Sequence, residues 1–194
     1  MKRTSVLLCI IVLLMSFCSC VPRVSRTENA EAKQDIKKAY KARLIENIYR
    51  YDNMRADKLP LYALLDFDGD GTAELIVWDI RVASATFRNI YVYRYNSVTG
   101  EAEHVGTMVD FAGHSVITKT KDGRGIIIAI RDSADRDKIT EYRLVDGRLT
   151  PSVLLARTNE TTQEWSDKIR SPEYAGKVTL ETSNTYDMLE REFD

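Results

Sequence analysis

Four carboxylates lie within nine residues in the segment LLDFDGDGTAELIVW, residues 64–78. Calcium takes about six to eight oxygen ligands, and alternate residues of a tightly curled loop can all point such oxygens inward. Gly71 permits the sharp turn that brings the carbonyl of the next residue towards the same centre. The spacing therefore predicts a calcium site whose ligands are Asp66, Asp68, Asp70, Thr72 and Glu74.

The alternative interpretation of this segment is a hairpin turn that binds no metal, since Asp and Gly suit turns for backbone reasons alone. Turn chemistry explains one or two acids, but not four at regular spacing. The segment also differs from an EF-hand, because the twelfth position holds Val77 instead of the closing Glu. Four negative charges around one divalent ion predict a modest affinity, on the order of 10⁻⁴ M, and a structural role for the calcium ion.

The motif DFDGDGTAE, residues 66–74, lies between two strand patterns. It resembles the calcium loops of FG-GAP and related propeller-blade repeats, whose pattern is DxDxDGxxD. The resemblance is close over residues 62–80 and looser over the strands that follow. It implies a calcium ion at the joint between two strands. Glu74 stands where the family usually has a final Asp, and its longer side chain can still reach the ion.

Beyond residue 59 the chain consists of short runs rich in Val, Ile, Thr and Tyr, separated by Gly, Asp and Asn. This texture predicts a mainly β fold, an antiparallel meander of about eight strands with a helix before it. Asp146 and Gly147 predict a tight hairpin turn between the last two strands. The predicted strands are 62–65, 75–80, 90–95, 103–109, 115–120, 125–131, 139–145 and 149–156.

The eight strands can be divided into two propeller-blade-like units of four. DGDG at 68–71 corresponds to DGRG at 122–125, and IYVYRY at 90–95 corresponds to ITEYRL at 139–144. The offsets, 54 and 49 residues, are typical of a four-stranded blade. Arg124 replaces the third acid in the second copy, which predicts that this copy binds no metal. Two meanders that merely look alike remain the alternative, and two blades cannot close a propeller, which needs at least ~4.

Two helices and a ninth strand are predicted outside the meander. Residues 29–52 form an amphipathic pattern that predicts a helix with Asn29 as its N-cap. The apolar face of this helix is predicted to pack on the domain's own core. A helix that binds a partner is the alternative. A polar stretch, 157–176, is followed by a predicted strand at 177–182 and a short helix at 183–193 capped by Asn184. The apolar stripe of the first helix is Ile36, Tyr40, Leu44, Ile48 and Tyr51.

The first residues, MKRTSVLLCIIVLLMSFCSC, have the plan of an export signal, with basic residues followed by a short apolar run. This run has roughly a dozen residues, which is short for a membrane-spanning helix of ~20, although a single-pass anchor is the alternative. FCSC at 17–20 resembles the lipobox of bacterial lipoproteins, with Phe17 where the family usually has leucine. The resemblance implies that residues 1–19 are a signal peptide and that Cys20 carries the acyl chains of a stable membrane anchor.

The predicted organisation is a signal peptide at 1–19, a tether at 20–28 and a single β-rich domain with an N-terminal helix at 29–194. A neutral Val21 after the lipidated cysteine favours an outer membrane, with the domain facing the periplasm or the cell surface. Loss of Lys2 and Arg3 would leave 26 basic and 29 acidic residues. This near balance gives no electrostatic footprint for nucleic acid. Cys9 and Cys18 would leave with the signal peptide, and Cys20 would carry lipid, so no cysteine would remain for a disulfide or for zinc.

No catalytic motif surrounds either histidine, His104 or His114, which are predicted to be ordinary sheet residues. A second cation loop at 132–137 is a weaker alternative to a solvated hairpin. Trp165 and Tyr174 are predicted to pack under the polar stretch rather than to serve as exposed contacts. The predicted function is a lipid-anchored, calcium-stabilised envelope module that binds a protein or glycan without catalysis. An envelope hydrolase and an inhibitor or immunity-type protein that caps another enzyme are the alternatives.

Overall fold

The computed structural model describes residues 26–49, 60–79, 87–111, 115–130, 137–171 and 180–194. The chain divides into two compact units, residues 1–32 and 33–194, and only the start of a helix is described in the first. Cys20, the predicted signal peptide, His114 and Tyr174 lie outside the described residues. All of the described strands belong to the second unit.

Eight strands form two four-stranded antiparallel sheets, each a simple meander in which neighbours along the chain are neighbours in space. This confirms the predicted mainly β fold and its two four-strand units. Sheet 1 contains β1 (Tyr62–Leu65), β2 (Glu74–Trp78), β3 (Phe87–Asn96) and β4 (Glu101–Phe111). Sheet 2 contains β5 (Ser115–Lys119), β6 (Ile126–Ile130), β7 (Lys138–Val145) and β8 (Arg148–Ala156).

The strands β2 and β6 are the second strands of their sheets, and all five residues of each are buried. Because successive side chains of a strand point to opposite faces, such continuously buried runs indicate a sheet that is covered on both sides. Ile76 and Trp78 of β2 share one core with Ile126 and Ile128 of β6. The inner faces of the two sheets therefore pack against each other.

The described residues include three helices: α1 (Arg26–Tyr49), α2 (Thr162–Ile169) and α3 (Asp187–Phe193). The described part of the predicted stripe on α1, Ile36, Tyr40 and Leu44, is buried on the outer face of sheet 1 together with Leu189 of α3. The apolar face of α1 thus packs on the domain's own core, as predicted. Its first residue is Arg26 rather than one near Asn29.

The helix α2 was not predicted, because it is short and lies in a polar stretch. Thr161 is its N-cap, and a reciprocal capping box links the Thr161 and Glu164 side chains to each other's backbone N–H groups. Trp165 and Ile169 are buried against the outer face of sheet 2. The T-x-x-E spacing at 161–164 was the available sequence signal. Trp165 is buried as predicted, but a helix rather than a loop carries it.

The C-terminal segment differs from its prediction. Of the predicted ninth strand, residues 177–179 lie outside the described residues and residues 180–182 are not in a strand. An antiparallel bridge joins Ser183 to Tyr62 of sheet 1. The last helix begins after Tyr186, which makes no side-chain cap bond, so Asn184 is not its cap. The bridge at Ser183 delays the helix, since both backbone hydrogen bonds of Ser183 go to Tyr62 at 2.8 Å.

Candidate metal centre

The acidic segment forms the loop between β1 and β2, and both of its glycines have left-handed backbone conformations. Gly69 has φ +76° and Gly71 has φ +90°, where residues with a Cβ are strained. The Asp66 carboxylate accepts hydrogen bonds from the N–H groups of both glycines, at 2.6 and 3.0 Å. Asp66 therefore sits inside the curl of the loop and fixes its shape.

The next two acids repeat this pattern over shorter spans. Asp68 Oδ1 accepts a hydrogen bond from the Asp70 N–H at 3.2 Å, and Asp70 Oδ1 accepts one from the Thr72 N–H at 2.7 Å. Such local bonds are the usual way in which Asp stabilises turns. Each of these two carboxylates keeps its second oxygen, Oδ2, available for another partner.

Glu74 is the first residue of β2, and it is 0 % exposed. Its Oε2 accepts a hydrogen bond from the Phe67 N–H at 2.8 Å, whereas its Oε1 is buried with no hydrogen-bond partner. A buried carboxylate is unfavourable unless its oxygens find donors or a cation. One oxygen from each of Asp66, Asp68 and Glu74 lies within 4.8 Å of the others. These three residues form a candidate metal-binding triad.

Burial raises the pKa of Glu74 to about 7, and the nearby Asp68 and Asp70 act in the same direction. The Phe67 N–H and the Arg94 guanidinium lower this pKa without cancelling the effect of burial. Protein groups alone therefore leave the Glu74 carboxylate poorly compensated. A divalent cation at the triad would supply the missing positive charge.

Arg94 of β3 lies at the acidic loop and was not predicted from the sequence to do so. Its Nη2 lies 2.6 Å from Asp70 Oδ2 and 3.0 Å from Asp68 Oδ2, and its Nε lies 3.7 Å from Glu74 Oε1. The sheet register explains this position, because Leu75 pairs with Tyr93 and the adjacent residues Glu74 and Arg94 are therefore neighbours across the strands. An arginine in the third predicted strand, close to the first acidic loop in a meander, was the available signal.

The predicted ligands thus fall into two groups. Asp66, Asp68 and Glu74 come together in the triad. Asp70 lies outside the triad, with its Oδ2 directed to Arg94. Coordination by Asp70 and by the Thr72 carbonyl stays a prediction. The end of the loop is held by α1, because the Tyr40 hydroxyl donates a hydrogen bond to the Ala73 carbonyl at 2.8 Å.

The loop between β5 and β6, residues 120–125, is the counterpart of the acidic loop in sheet 2. Gly123 has φ +75°, and Asp122 Oδ1 accepts a hydrogen bond from the Arg124 N–H at 3.1 Å, as Asp68 does from Asp70. The register places Ile126 opposite the last residue of β5, where sheet 1 has Glu74 opposite the last residue of β1. The second loop therefore lacks the buried carboxylate.

Asp122 is neutralised by a protein group, since Arg143 Nη1 lies 2.8 Å from its Oδ2. This arginine is the main cause that holds the pKa of Asp122 well below its usual range. In the part of the chain that the structure describes, the only cluster of metal-ligating side chains is the triad in sheet 1. That the second copy binds no metal stays a prediction.

Two other candidate residues, His104 and Asp137, lie among the described residues and make local contacts. His104 is exposed on β4, with Nε2 3.0 Å from Thr107 Oγ1 and its ring against Tyr91 and Tyr93. Asp137 is buried, and Arg157 Nη1 lies 2.7 Å from its Oδ2. The rest of the weaker cation loop, residues 132–136, lies outside the described residues.

Within the described ranges, no helix combines the length and apolar character needed to cross a membrane. Comparison of the chain with protein-family models, with curated proteins and with solved structures finds no match.

Proposed function

We propose that this protein is a lipid-anchored module of the cell envelope in which one calcium ion stabilises the joint between β1 and β2, and that it binds a protein or glycan partner without catalysis. The observation that carries the calcium assignment is Glu74. It is fully buried, its Oε1 has no hydrogen-bond partner, and it lies beside two further carboxylates. This is the environment that a hard, oxygen-coordinated cation would satisfy.

Charge supports a divalent ion. The four acids of the loop and Arg94 together carry a charge of about −3, and one calcium ion reduces this to about −1, which lowers the mutual repulsion of the carboxylates. The proposed ligands are all oxygens from the chain: the triad, Asp70 and the Thr72 carbonyl. Because the loop joins two buried strands, the ion would act on the stability of sheet 1 rather than on a substrate.

The calcium assignment predicts a higher melting temperature in about 1 mM calcium than in a chelator. A dissociation constant on the order of 10⁻⁴ M corresponds to about 1.4 kcal/mol of stabilisation, or a rise of roughly 3–6 °C for a domain of this size. Asp68→Ala should abolish the rise, because it removes a triad ligand. The measurement is thermal unfolding followed by circular dichroism.

Asp122→Ala is the matched control, since Asp122 occupies the corresponding turn of sheet 2 and pairs with Arg143. This variant should have a lower melting temperature under both conditions and keep the full calcium-dependent rise. Identical melting curves of the unmodified protein in calcium and in chelator would refute the proposed calcium site.

The membrane part of the proposal depends on FCSC at residues 17–20. In a bacterial host that processes lipoproteins, the protein should be recovered in the membrane fraction, and Cys20→Ser should move it to the soluble fraction. Mass spectrometry of the N-terminal peptide should show acyl chains on Cys20. A soluble protein with an unmodified Cys20 would contradict the lipid anchor, while the calcium site would be unaffected by that result.

A further inference from the structure

Arg94 contacts the oxygens of the acidic loop that the backbone leaves available. Asp68 Oδ1 and Asp70 Oδ1 accept hydrogen bonds from backbone N–H groups. Arg94 Nη2 lies 3.0 Å from Asp68 Oδ2 and 2.6 Å from Asp70 Oδ2. It is therefore the charged partner of the acidic loop, and it comes from a strand 20 residues beyond Glu74.

A cation at the triad would share Asp68 with this arginine. Asp68 belongs to the triad and is also bound by Arg94, and the other end of the guanidinium approaches Glu74 Oε1 at 3.7 Å. Calcium and Arg94 are both positive, so they repel each other at such short range. Even at the dielectric constant of water, the repulsion between a divalent and a monovalent charge about 5 Å apart is worth on the order of tenfold in affinity.

We propose that Arg94 is an internal counter-ion that competes with calcium for Asp68, so that calcium binding is an exchange in which the guanidinium leaves the triad. The inference rests on the proposed calcium site and concerns the residue that sets its affinity. Arg94 keeps the acidic loop folded when calcium is scarce, because it pairs with two of the acids that would otherwise repel one another. The same contacts weaken calcium binding.

Arg143 lies at the corresponding loop of sheet 2, residues 120–125, which has no triad of carboxylates. Its Nη1 lies 2.8 Å from Asp122 Oδ2, and its Nη2 lies 2.8 Å from Glu141 Oε1. Arg143 therefore stabilises a turn with no cation site to compete for. Neutralising Arg143 makes the same change in net charge as neutralising Arg94, which makes it a matched control.

The test compares Arg94→Gln with Arg143→Gln in the full chain, with calcium chloride as the titrant in isothermal titration calorimetry. Arg94→Gln should lower the dissociation constant for calcium by about tenfold or more, since the competing charge is gone. The same variant should melt at a lower temperature than the unmodified protein in chelator. Arg143→Gln should lower the melting temperature and leave the dissociation constant within about twofold of the unmodified value.

An unchanged or increased dissociation constant for Arg94→Gln would overturn the exchange and would assign Arg94 a purely positioning role. If Arg94→Gln does not fold in chelator, it is prepared in calcium, and its dissociation constant is measured by titrating a chelator of known affinity into the calcium-loaded protein. A dissociation constant no lower than that of the unmodified protein under the same conditions would then overturn the exchange.

The proposed calcium site and the exchange fail in different ways. If neither the unmodified protein nor Arg94→Gln binds calcium, both are wrong. If both bind with the same dissociation constant, only the exchange is wrong. If Arg94→Gln alone binds, the competition is supported, and the calcium-stabilised function of the unmodified protein is wrong.

Discussion

Glu74→Gln is expected to make the protein more stable in chelator and to remove most of its response to calcium. Glu74 is 0 % exposed, and its Oε1 has no hydrogen-bond partner, so the ionised side chain is costly in the absence of a cation. A neutral glutamine of the same shape avoids that cost, and its carbonyl can still accept the Phe67 N–H. At pH 8 the gain in the free energy of unfolding is expected to reach about 3 kcal/mol.

In chelator, Glu74 is expected to make the free energy of unfolding depend on pH. The pKa of Glu74 is about 7 in the folded protein, above the ordinary value of 4.5. Between these values the unfolded chain releases the proton and the folded protein keeps it, so stability falls as the pH rises through this range. Above about pH 7 both states are ionised and this contribution becomes constant. Urea unfolding at pH 5, 6, 7 and 8 measures the trend.

Glu74→Gln should flatten this pH dependence, because the titrating group is removed. Asp68→Ala serves as the comparison, since it also deletes one acid of the triad but leaves the Glu74 carboxyl in place. A variant Glu74→Gln that is less stable than the unmodified protein at pH 8 in chelator would show that the Glu74 carboxylate is well compensated by protein groups. In that case the main argument for a cation would fail.

Trp165→Ala is expected to cost about 3–5 kcal/mol of stability, the usual range for deleting a large buried aromatic side chain. Trp165 is 0 % exposed, packs with Ile127, Ala129 and Ile139 on sheet 2, and donates its Nε1–H to the Ile130 carbonyl at 3.2 Å. The substitution would leave a cavity and remove the hydrogen bond to the Ile130 carbonyl. Urea unfolding with circular dichroism measures the loss.

Two comparisons make the Trp165 experiment specific. Trp165→Phe keeps most of the buried volume and loses only the hydrogen bond, so it should cost about 1–2 kcal/mol. The calcium-dependent rise in melting temperature should survive in both variants, because Trp165 packs on sheet 2 and the triad lies in sheet 1. A cost below about 1 kcal/mol for Trp165→Ala would mean that α2 does not cover sheet 2 in solution.

Features that depend on near neighbours along the chain were predictable from the sequence. All eight described strands were predicted. The residue composition of each strand, and the alternation of its apolar and polar residues, depend on whether its own faces are half-buried or fully buried. The acidic loop was found in the same way. Alternate acids and a glycine that tolerates positive φ are local requirements of one turn, and Gly71 has such a φ. The two four-strand units were readable as a repeated order of loop and strand.

Contacts between groups that are distant along the chain became visible in the folded structure. The sequence contained Glu74 and Arg94, but their proximity follows from the register of β2 and β3. The burial of Glu74 at the joint, and the docking of Trp165 on sheet 2, depend on what covers each face of a sheet. The hydrophobic periodicity of a strand or helix predicts that one of its faces is buried. It does not predict which element covers that face, because the local pattern does not depend on the identity of the distant segment. The charge balance of the candidate site was therefore decided by packing.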